Sequence, residues 1–261
     1  NRPLEVRCRA ASRSIRDAHI LMSLLVAWIR SLAAYVFLCL YIGLLGPPAL
    51  LVTTVTGRIR HLFVLGVFGA RTARQLLGIR LRVEGLEHVV GERATVYCMN
   101  HCSNVDAVLM EVLYSRCPRL RVLYKAEMGR LPILGRVLRM ARFVPVERAD
   151  RDRAIHAVDV AVEHLVAGDS FLVAPEGTRS SNADMRPFKK GGFVMAIKAQ
   201  VPVVPIGVVG TSQAMPRGQF FVKAGVVRIR IGEPVPCAGL AFDDRDALSA
   251  DVRARIKQLL S

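Results

Sequence analysis

Short apolar segments alternate with amphipathic helical patterns from about residue 80 to the end of the chain, and this alternation limits the possible folds most. The predicted strands are residues 80–83, 95–99, 121–124, 142–146, 170–174, 203–208, 220–223 and 226–231. Helical periodicity lies near residues 104–115, 128–140, 151–167, 189–200 and 244–260. Strands and helices in this order predict an α/β fold with a layered, mixed but largely parallel sheet flanked by helices.

The N-terminal part has a different character, and we expect it to attach the chain to a membrane. Residues 31–57 carry no charge over 27 positions, which is long enough to meet the hydrocarbon of a bilayer. Gly46-Pro47-Pro48 interrupts this run and favours a helix, a break and a second helix. Six arginines and no acid lie from Arg58 to Arg82, a flank suited to anionic headgroups. The alternative is a buried core helix.

Size and charge restrict the organisation and the partners. We predict a basic, apolar helical membrane-associating region over residues 1–79 and an α/β catalytic domain over residues 80–261. The net charge of +16 predicts a polyanionic partner, which is nucleic acid, an anionic membrane surface or a phosphorylated substrate. The six cysteines are scattered without metal-ligand spacing, as in reduced thiols of a cytosol-facing protein.

A histidine and an aspartate stand five residues apart where a buried strand gives way to a helix. His101 follows the predicted strand 95–99, and Asp106 falls in the first helical turn after it. A neutral imidazole can take a proton from an alcohol near pH 7, and a carboxylate can orient it and stabilise the imidazolium. A capping box of Ser103 and Asp106 explains the acid equally well, and it is compatible with catalysis. The neighbouring Cys102 has only its adjacency to suggest a nucleophile.

The same H-x4-D spacing recurs at His164 and Asp169, so spacing alone does not identify the catalytic pair. His164 ends an amphipathic helical pattern just before Gly168. A helix C-terminus favours a basic side chain, and the glycine can cap the helix. We therefore interpret His164 as structural and His101 as the functional histidine.

A second polar cluster follows the predicted strand 170–174, in the sequence Pro175-Glu176-Gly177-Thr178-Arg179. Gly177 permits an unusual turn, and the guanidinium of Arg179 matches phosphate oxygens. Glu176 can bond a substrate hydroxyl or form a salt bridge with Arg179. Lys125 and Arg148 each follow a predicted strand, so both are candidates for an anion pocket at the same edge and, equally, for solvated surface.

These blocks together resemble a known enzyme family. Asn100-His101-x4-Asp106, then Lys125 with Pro132, Gly135 and Val146-Glu147-Arg148, then Glu176-Gly177-Thr178-Arg179, then Val201-Pro202-Val203-Val204-Pro205 are similar to the four ordered blocks of the glycerolipid acyltransferases of the lysophosphatidic acid acyltransferase type. The resemblance covers roughly residues 80–235. The second block is the least regular, because many members of the family have aspartate before the arginine.

The resemblance implies transfer of an acyl chain from acyl-CoA or acyl-carrier protein to the free hydroxyl of a lysophospholipid, without cofactor, metal or covalent acyl-enzyme. His101 would be the general base and Asp106 its partner. Glu176, Gly177, Thr178 and Arg179 would hold the acceptor, with Lys125, Arg148 and Arg179 supplying positive charge. The favoured acceptor is 1-acylglycerol-3-phosphate, giving phosphatidic acid in phospholipid biosynthesis at the cytoplasmic face of the inner or plasma membrane.

Other functions remain open at this stage. The acceptor can be another lysolipid. A metal-assisted hydrolase would need ligands that do not appear near His101 in the sequence. A non-catalytic basic protein that binds a membrane or nucleic acid would explain the charge, although no nucleic-acid motif is present.

Overall fold

A computed structural model of the chain describes residues 2–147, 150–179 and 185–261. The strands are β1 (Ile79–Glu84), β2 (Val96–Met99), β3 (Leu120–Lys125), β4 (Val144–Val146), β5 (Ser170–Val173), β6 (Val203–Val209) and β7 (Gly225–Ile231). They form one sheet in the order β1-β7-β6-β2-β5-β3-β4. Strands β2 to β6 run in one direction, whereas β7 is antiparallel to β6 and parallel to β1. The predicted mixed, largely parallel sheet is confirmed.

Helices cover both faces of this sheet. They are α1 (Arg2–Thr56), α2 (Arg60–Leu76), α3 (Val108–Tyr114), α4 (Pro132–Met140), α5 (Arg151–Val166), α6 (Gly191–Ala199), α7 (Thr211–Ala214) and α8 (Arg245–Leu260). Because strand side chains alternate between faces, β2 contributes Val96 and Cys98 to one buried core and Tyr97 and Met99 to the other. All four residues of β2 are buried, as expected for a central parallel strand.

The N-terminal helices α1 and α2, which we call the apolar front, are one long helix followed by a second helix. The prediction of a break at Gly46-Pro47-Pro48 is wrong, since α1 continues through Pro47 and Pro48. A proline removes one backbone hydrogen bond and crowds the preceding turn, which weakens a helix without always ending it. Helix α1 ends instead before Gly57, which has a φ of 67°. The segment Leu21–Thr56, with a mean hydropathy of 2.0, is long and apolar enough to cross a membrane.

Helix α2 is attached to the sheet domain by an ionic cluster around the buried Glu111. Glu111 of α3 accepts hydrogen bonds from Arg71 Nε and Arg74 Nε, both at 2.9 Å. Arg74 also donates to the carbonyl of Ile79 at the start of β1. Burial raises the pKa of Glu111, but the bonds and charges of the two guanidinium groups prevail and hold it below its usual value. The apolar front is thereby tied to α3, which follows the His101 loop.

One predicted strand does not form. Residues 220–223 are irregular, because their backbone bonds to α1 instead of to the sheet: Val222 N–H donates to Ser31 Oγ at 2.7 Å. The ring of Phe221 lies 5.2 Å from that of Trp28. The side chains of α1 therefore decide the conformation of this loop.

Candidate active site

The candidate site lies at the edge of the sheet where β2, β3, β5 and β6 end. Asn100, the residue after β2, fixes this edge with its side-chain amide. Its Nδ2 donates to the carbonyl of Val208 at 2.9 Å, and its Oδ1 accepts from Val208 N–H at 2.7 Å. The amide thus continues the β2–β6 ladder by one residue, and the chain leaves the sheet at His101.

His101 and Asp106 meet in this loop. The distance from His101 Nδ1 to Asp106 Oδ2 is 2.7 Å. The carboxylate is buried, whereas the imidazole is 32% exposed. The same Oδ2 accepts from the backbone N–H groups of Cys102 at 2.8 Å and Ser103 at 2.9 Å. A carboxylate in this position can orient the ring through Nδ1, and proton transfer would then take place at Nε2.

The capping interpretation of Asp106 holds alongside the catalytic geometry. Ser103 Oγ accepts from Val105 N–H at 3.2 Å and donates to the carbonyl of Met215 at 2.9 Å. At the start of the short helix Asn104–Ala107, the hydroxyl of Ser103 therefore binds the N–H of Val105, and the carboxylate of Asp106 binds the N–H of Ser103. Local capping brings Asp106 to the imidazole.

Glu176 joins the His101 loop to the loop that follows β5. Its side chain is buried, with Oε1 accepting from His101 N–H at 2.8 Å and Oε2 accepting from Arg186 N–H at 2.9 Å. In the described part of the chain, no ion pair joins Glu176 to Arg179. No local sequence pattern indicates that Glu176 binds backbone groups, because the two donors lie 75 residues before it and 10 residues after it.

The rest of this loop is shaped by Gly177 and Lys189. Gly177 has a φ of 73°, a left-handed conformation that favours glycine, and it lies against the side chain of Lys189. Thr178 Oγ1 accepts from Arg186 Nη1 at 3.0 Å. Arg179 is half-buried next to them. The sequence pointed to Gly177, Thr178 and Arg179, whereas the role of Arg186 was missed.

The other two predicted cations are Lys125 and Arg148. Lys125 ends β3 at the same edge as His101, with β5 between β3 and β2. Its Nζ lies 3.0 Å from Glu127 Oε1, and both side chains are exposed. Arg148 lies outside the described residues.

The second H-x4-D pair lies at the opposite edge of the sheet. His164 Nδ1 is 3.0 Å from Asp169 Oδ2, next to the first residue of β5. Asp169 is fully buried and also bonds Arg119 and Arg121. Burial raises its pKa, but His164 and the two arginines prevail and hold it below the usual value. This pair is part of a structural ionic cluster, as the helix-end position of His164 predicted.

Five cysteines of the described structure lie outside any disulfide: Cys39, Cys98, Cys102, Cys117 and Cys237. Burial, followed by the charge of Glu176, raises the pKa of Cys98. Among the described residues, no group of three or more His, Cys, Asp or Glu side chains is arranged to hold a metal ion.

Comparison with known proteins agrees with this arrangement. A family model described as Acyltransferase matches residues 80–209. The human 1-acyl-sn-glycerol-3-phosphate acyltransferase beta is 28% identical over 92% of this chain and 86% of its own length. The human alpha enzyme is 34% identical over 69% of this chain and 63% of its own length. The crystal structure of PlsC, the 1-acyl-sn-glycerophosphate acyltransferase of Thermotoga maritima, superimposes with a TM-score of 0.75 at 25% identity, covering 91% of this chain and 97% of that one.

The mixed α/β domain, together with the match of the family model over residues 80–209, defines the class of protein as an acyltransferase. The chain belongs to the acyltransferase family, and within it to the lysophosphatidic acid acyltransferase type.

Proposed function

We propose that this protein acylates the free hydroxyl of 1-acylglycerol-3-phosphate and so makes phosphatidic acid for phospholipid biosynthesis. The observation that carries the proposal is the 2.7 Å contact between His101 Nδ1 and Asp106, in a loop tied through Glu176 to the Gly177–Arg179 segment. The relatives named above are acyltransferases of 1-acyl-sn-glycerol-3-phosphate. The donor is acyl-CoA or acyl-carrier protein, both thioesters.

His101 acts as the general base. Its Nε2 takes the proton of the acceptor hydroxyl as the oxygen forms a bond to the thioester carbonyl carbon. Asp106 stabilises the imidazolium. The tetrahedral intermediate then collapses, the carbon–sulfur bond breaks, and His101 returns the proton to the leaving thiolate. The products are an ester and a free thiol, and His101 and Asp106 end in their starting protonation states.

Positive charge holds the acceptor phosphate. Arg179 has the planar fork that binds phosphate oxygens in pairs, and Lys125, at the edge where His101 lies, adds charge. By the resemblance of its sequence block, Arg148 would also bind the acceptor. Gly177 and Thr178 shape the loop against which the acceptor lies. Glu176 supports this pocket through the two backbone groups it binds, and so it holds the acceptor indirectly.

The apolar front brings the enzyme to its substrate. We propose that residues 1–79 associate with the cytoplasmic face of the inner or plasma membrane and that residues 80–261 form the catalytic domain. The exposed apolar side chains of Leu21–Thr56 support membrane association. The link through Glu111, Arg71 and Arg74 holds the catalytic domain close to the bilayer.

An acceptor and donor matrix tests the proposal. The purified full chain is assayed with a panel of lysolipids, each with acyl-CoA and with acyl-carrier protein, in the presence and absence of a chelator. We expect phosphatidic acid from 1-acylglycerol-3-phosphate whether or not the chelator is present. Acylation confined to another lysolipid would overturn the acceptor assignment, and no acyl transfer to any lysolipid would overturn the activity.

A further inference from the structure

Two loops at the active-site edge carry exposed apolar side chains of the kind that a soluble domain normally buries. After β3, Met128, Leu131 and Ile133 are all exposed within six residues. After β6, Phe220 is 75% exposed. Large apolar groups clustered on a surface indicate contact with another apolar phase. We call residues 126–133 and 216–223 the two rim loops.

The two rim loops lie on either side of His101. Strand β6 is the neighbour of β2 on one side, and β3 follows β5 on the other side. Because these strands are parallel, both rim loops leave the sheet at the edge where His101 does. The apolar groups therefore flank the opening of the candidate site.

The charges in these loops match an anionic lipid surface. Arg130 and Arg136 are exposed beside the first apolar group, where Glu127 is the one acid of residues 125–140 and is paired with Lys125. Arg217 and Lys223 are exposed in the second loop, and residues 211–224 contain no acid. Apolar side chains flanked by cations fit the boundary between acyl chains and headgroups.

The second rim loop is continuous with the apolar helix. Tyr35 of α1 donates its hydroxyl proton to the carbonyl of Phe220, and Ser31 accepts from Val222 N–H at 2.7 Å. A bilayer that binds the exposed side of α1 therefore also contacts the second rim loop.

We propose that the two rim loops insert their apolar side chains into the same leaflet that binds α1, so that the opening of the candidate site lies on the membrane surface. This contact is separate from anchoring by α1 itself. It sets the orientation of the α/β domain, because three points of contact define a plane.

Tryptophan quenching tests this contact without using activity. Trp28 is the only tryptophan, so Trp28→Phe gives a dark background that keeps an aromatic ring against Phe221. We introduce Leu131→Trp, Phe220→Trp and, as a matched control, Val166→Trp separately into this background. Val166 is 72% exposed but ends α5 just before β5, at the opposite edge of the sheet. Each full-length variant is bound to anionic vesicles whose phospholipids carry bromine near the top of the acyl chains.

We expect loss of fluorescence on brominated relative to unbrominated vesicles for Leu131→Trp and Phe220→Trp, and none for Val166→Trp. The proposal would be overturned if neither Leu131→Trp nor Phe220→Trp were quenched more than the control Val166→Trp. Quenching of Phe220→Trp alone would also overturn it, because that loop would then only follow α1. If the fluorescence of Leu131→Trp were not quenched by vesicles but changed on addition of acyl-carrier protein, the first rim loop would bind an acidic protein instead of the membrane. Circular dichroism confirms that each variant is folded.

Discussion

The backbone N–H of His101 lies 2.8 Å from Glu176 Oε1, so a buried carboxylate 75 residues away in sequence holds the proposed general base in place. The second oxygen of the same carboxylate binds Arg186 N–H. Each oxygen of the carboxylate therefore accepts from one backbone group, and the side chain positions both loops. Its expected contribution to catalysis is the placement of the imidazole.

Glu176→Gln should therefore lower kcat while changing the acceptor KM little. The amide offers one oxygen for the two donors and turns an NH2 group towards one of them, leaving that N–H unsatisfied at a cost of about 1–3 kcal/mol. We expect a fall in kcat of roughly tenfold to a hundredfold, if most of that cost appears as misplacement of His101. Steady-state kinetics against the acceptor measures both constants. A large rise in KM with unchanged kcat would instead mean direct contact with substrate.

The two H-x4-D pairs provide a matched comparison. His101→Ala should reduce turnover by about a hundredfold to ten-thousandfold while the chain stays folded. His164→Ala should keep most of the activity but lower the free energy of unfolding by about 1–3 kcal/mol, because it leaves part of buried Asp169 unpaired. Acyl transfer rates and thermal unfolding of both purified variants check this. Near-normal transfer by His101→Ala would rule out the mechanism.

Asp106→Asn separates orientation of the histidine from helix capping. An asparagine still accepts from the backbone of Cys102 and Ser103, so the loop should fold, but it cannot stabilise the imidazolium as a carboxylate does. We expect a large fall in kcat with a small change in melting temperature. Unchanged kcat would show that the acid only caps the helix.

Arg179→Ala should mainly weaken use of the acceptor. Loss of a charged hydrogen bond to phosphate costs about 1.5–3 kcal/mol, which corresponds to a rise in acceptor KM of roughly tenfold or more. Arg116→Ala is the control, since Arg116 is an exposed arginine at the opposite edge, before β3. An equal effect of both substitutions would indicate general charge attraction and not a specific phosphate contact.

The buried ionic cluster at Asp169 predicts a loss of stability in acid. Its pKa is below the ordinary value in the folded chain and about 3.9 when unfolded. The unfolded state then binds the proton more readily, so this contribution is complete above that value and is lost as the pH falls through the folded pKa. Asp169→Asn should have a lower free energy of unfolding at neutral pH, and that free energy should fall less steeply below about pH 4. Denaturant unfolding at several pH values measures both slopes, and parallel slopes would contradict the assignment.

Local sequence patterns were sufficient for most of the fold. Alternating strands and helices predicted the sheet because each element has its own hydrophobic period, and Gly168 with His164 marked the end of α5. The same patterns misplaced the break in the apolar front and assigned a strand at 220–223. The error at 220–223 arose where a neighbouring element decides the backbone, as at Val222, whose N–H finds its partner in Ser31 of α1. The error at Gly46-Pro47-Pro48 arose because a proline weakens a helix without always ending it.

For the candidate site, the sequence by itself determined the chemistry of the side chains and the local pairing of His101 with Asp106, because five residues of one tight turn bring the two together. Sequence context favoured this pair over His164 and Asp169, and the tertiary structure decided that the two pairs stand at opposite edges of the sheet, since that depends on strand direction. It also decided that Glu176 binds backbone groups, because the donors come from chain segments that meet only when β2 and β5 pair. Contacts of this kind follow from the packed sheet and leave no local mark in the order of residues.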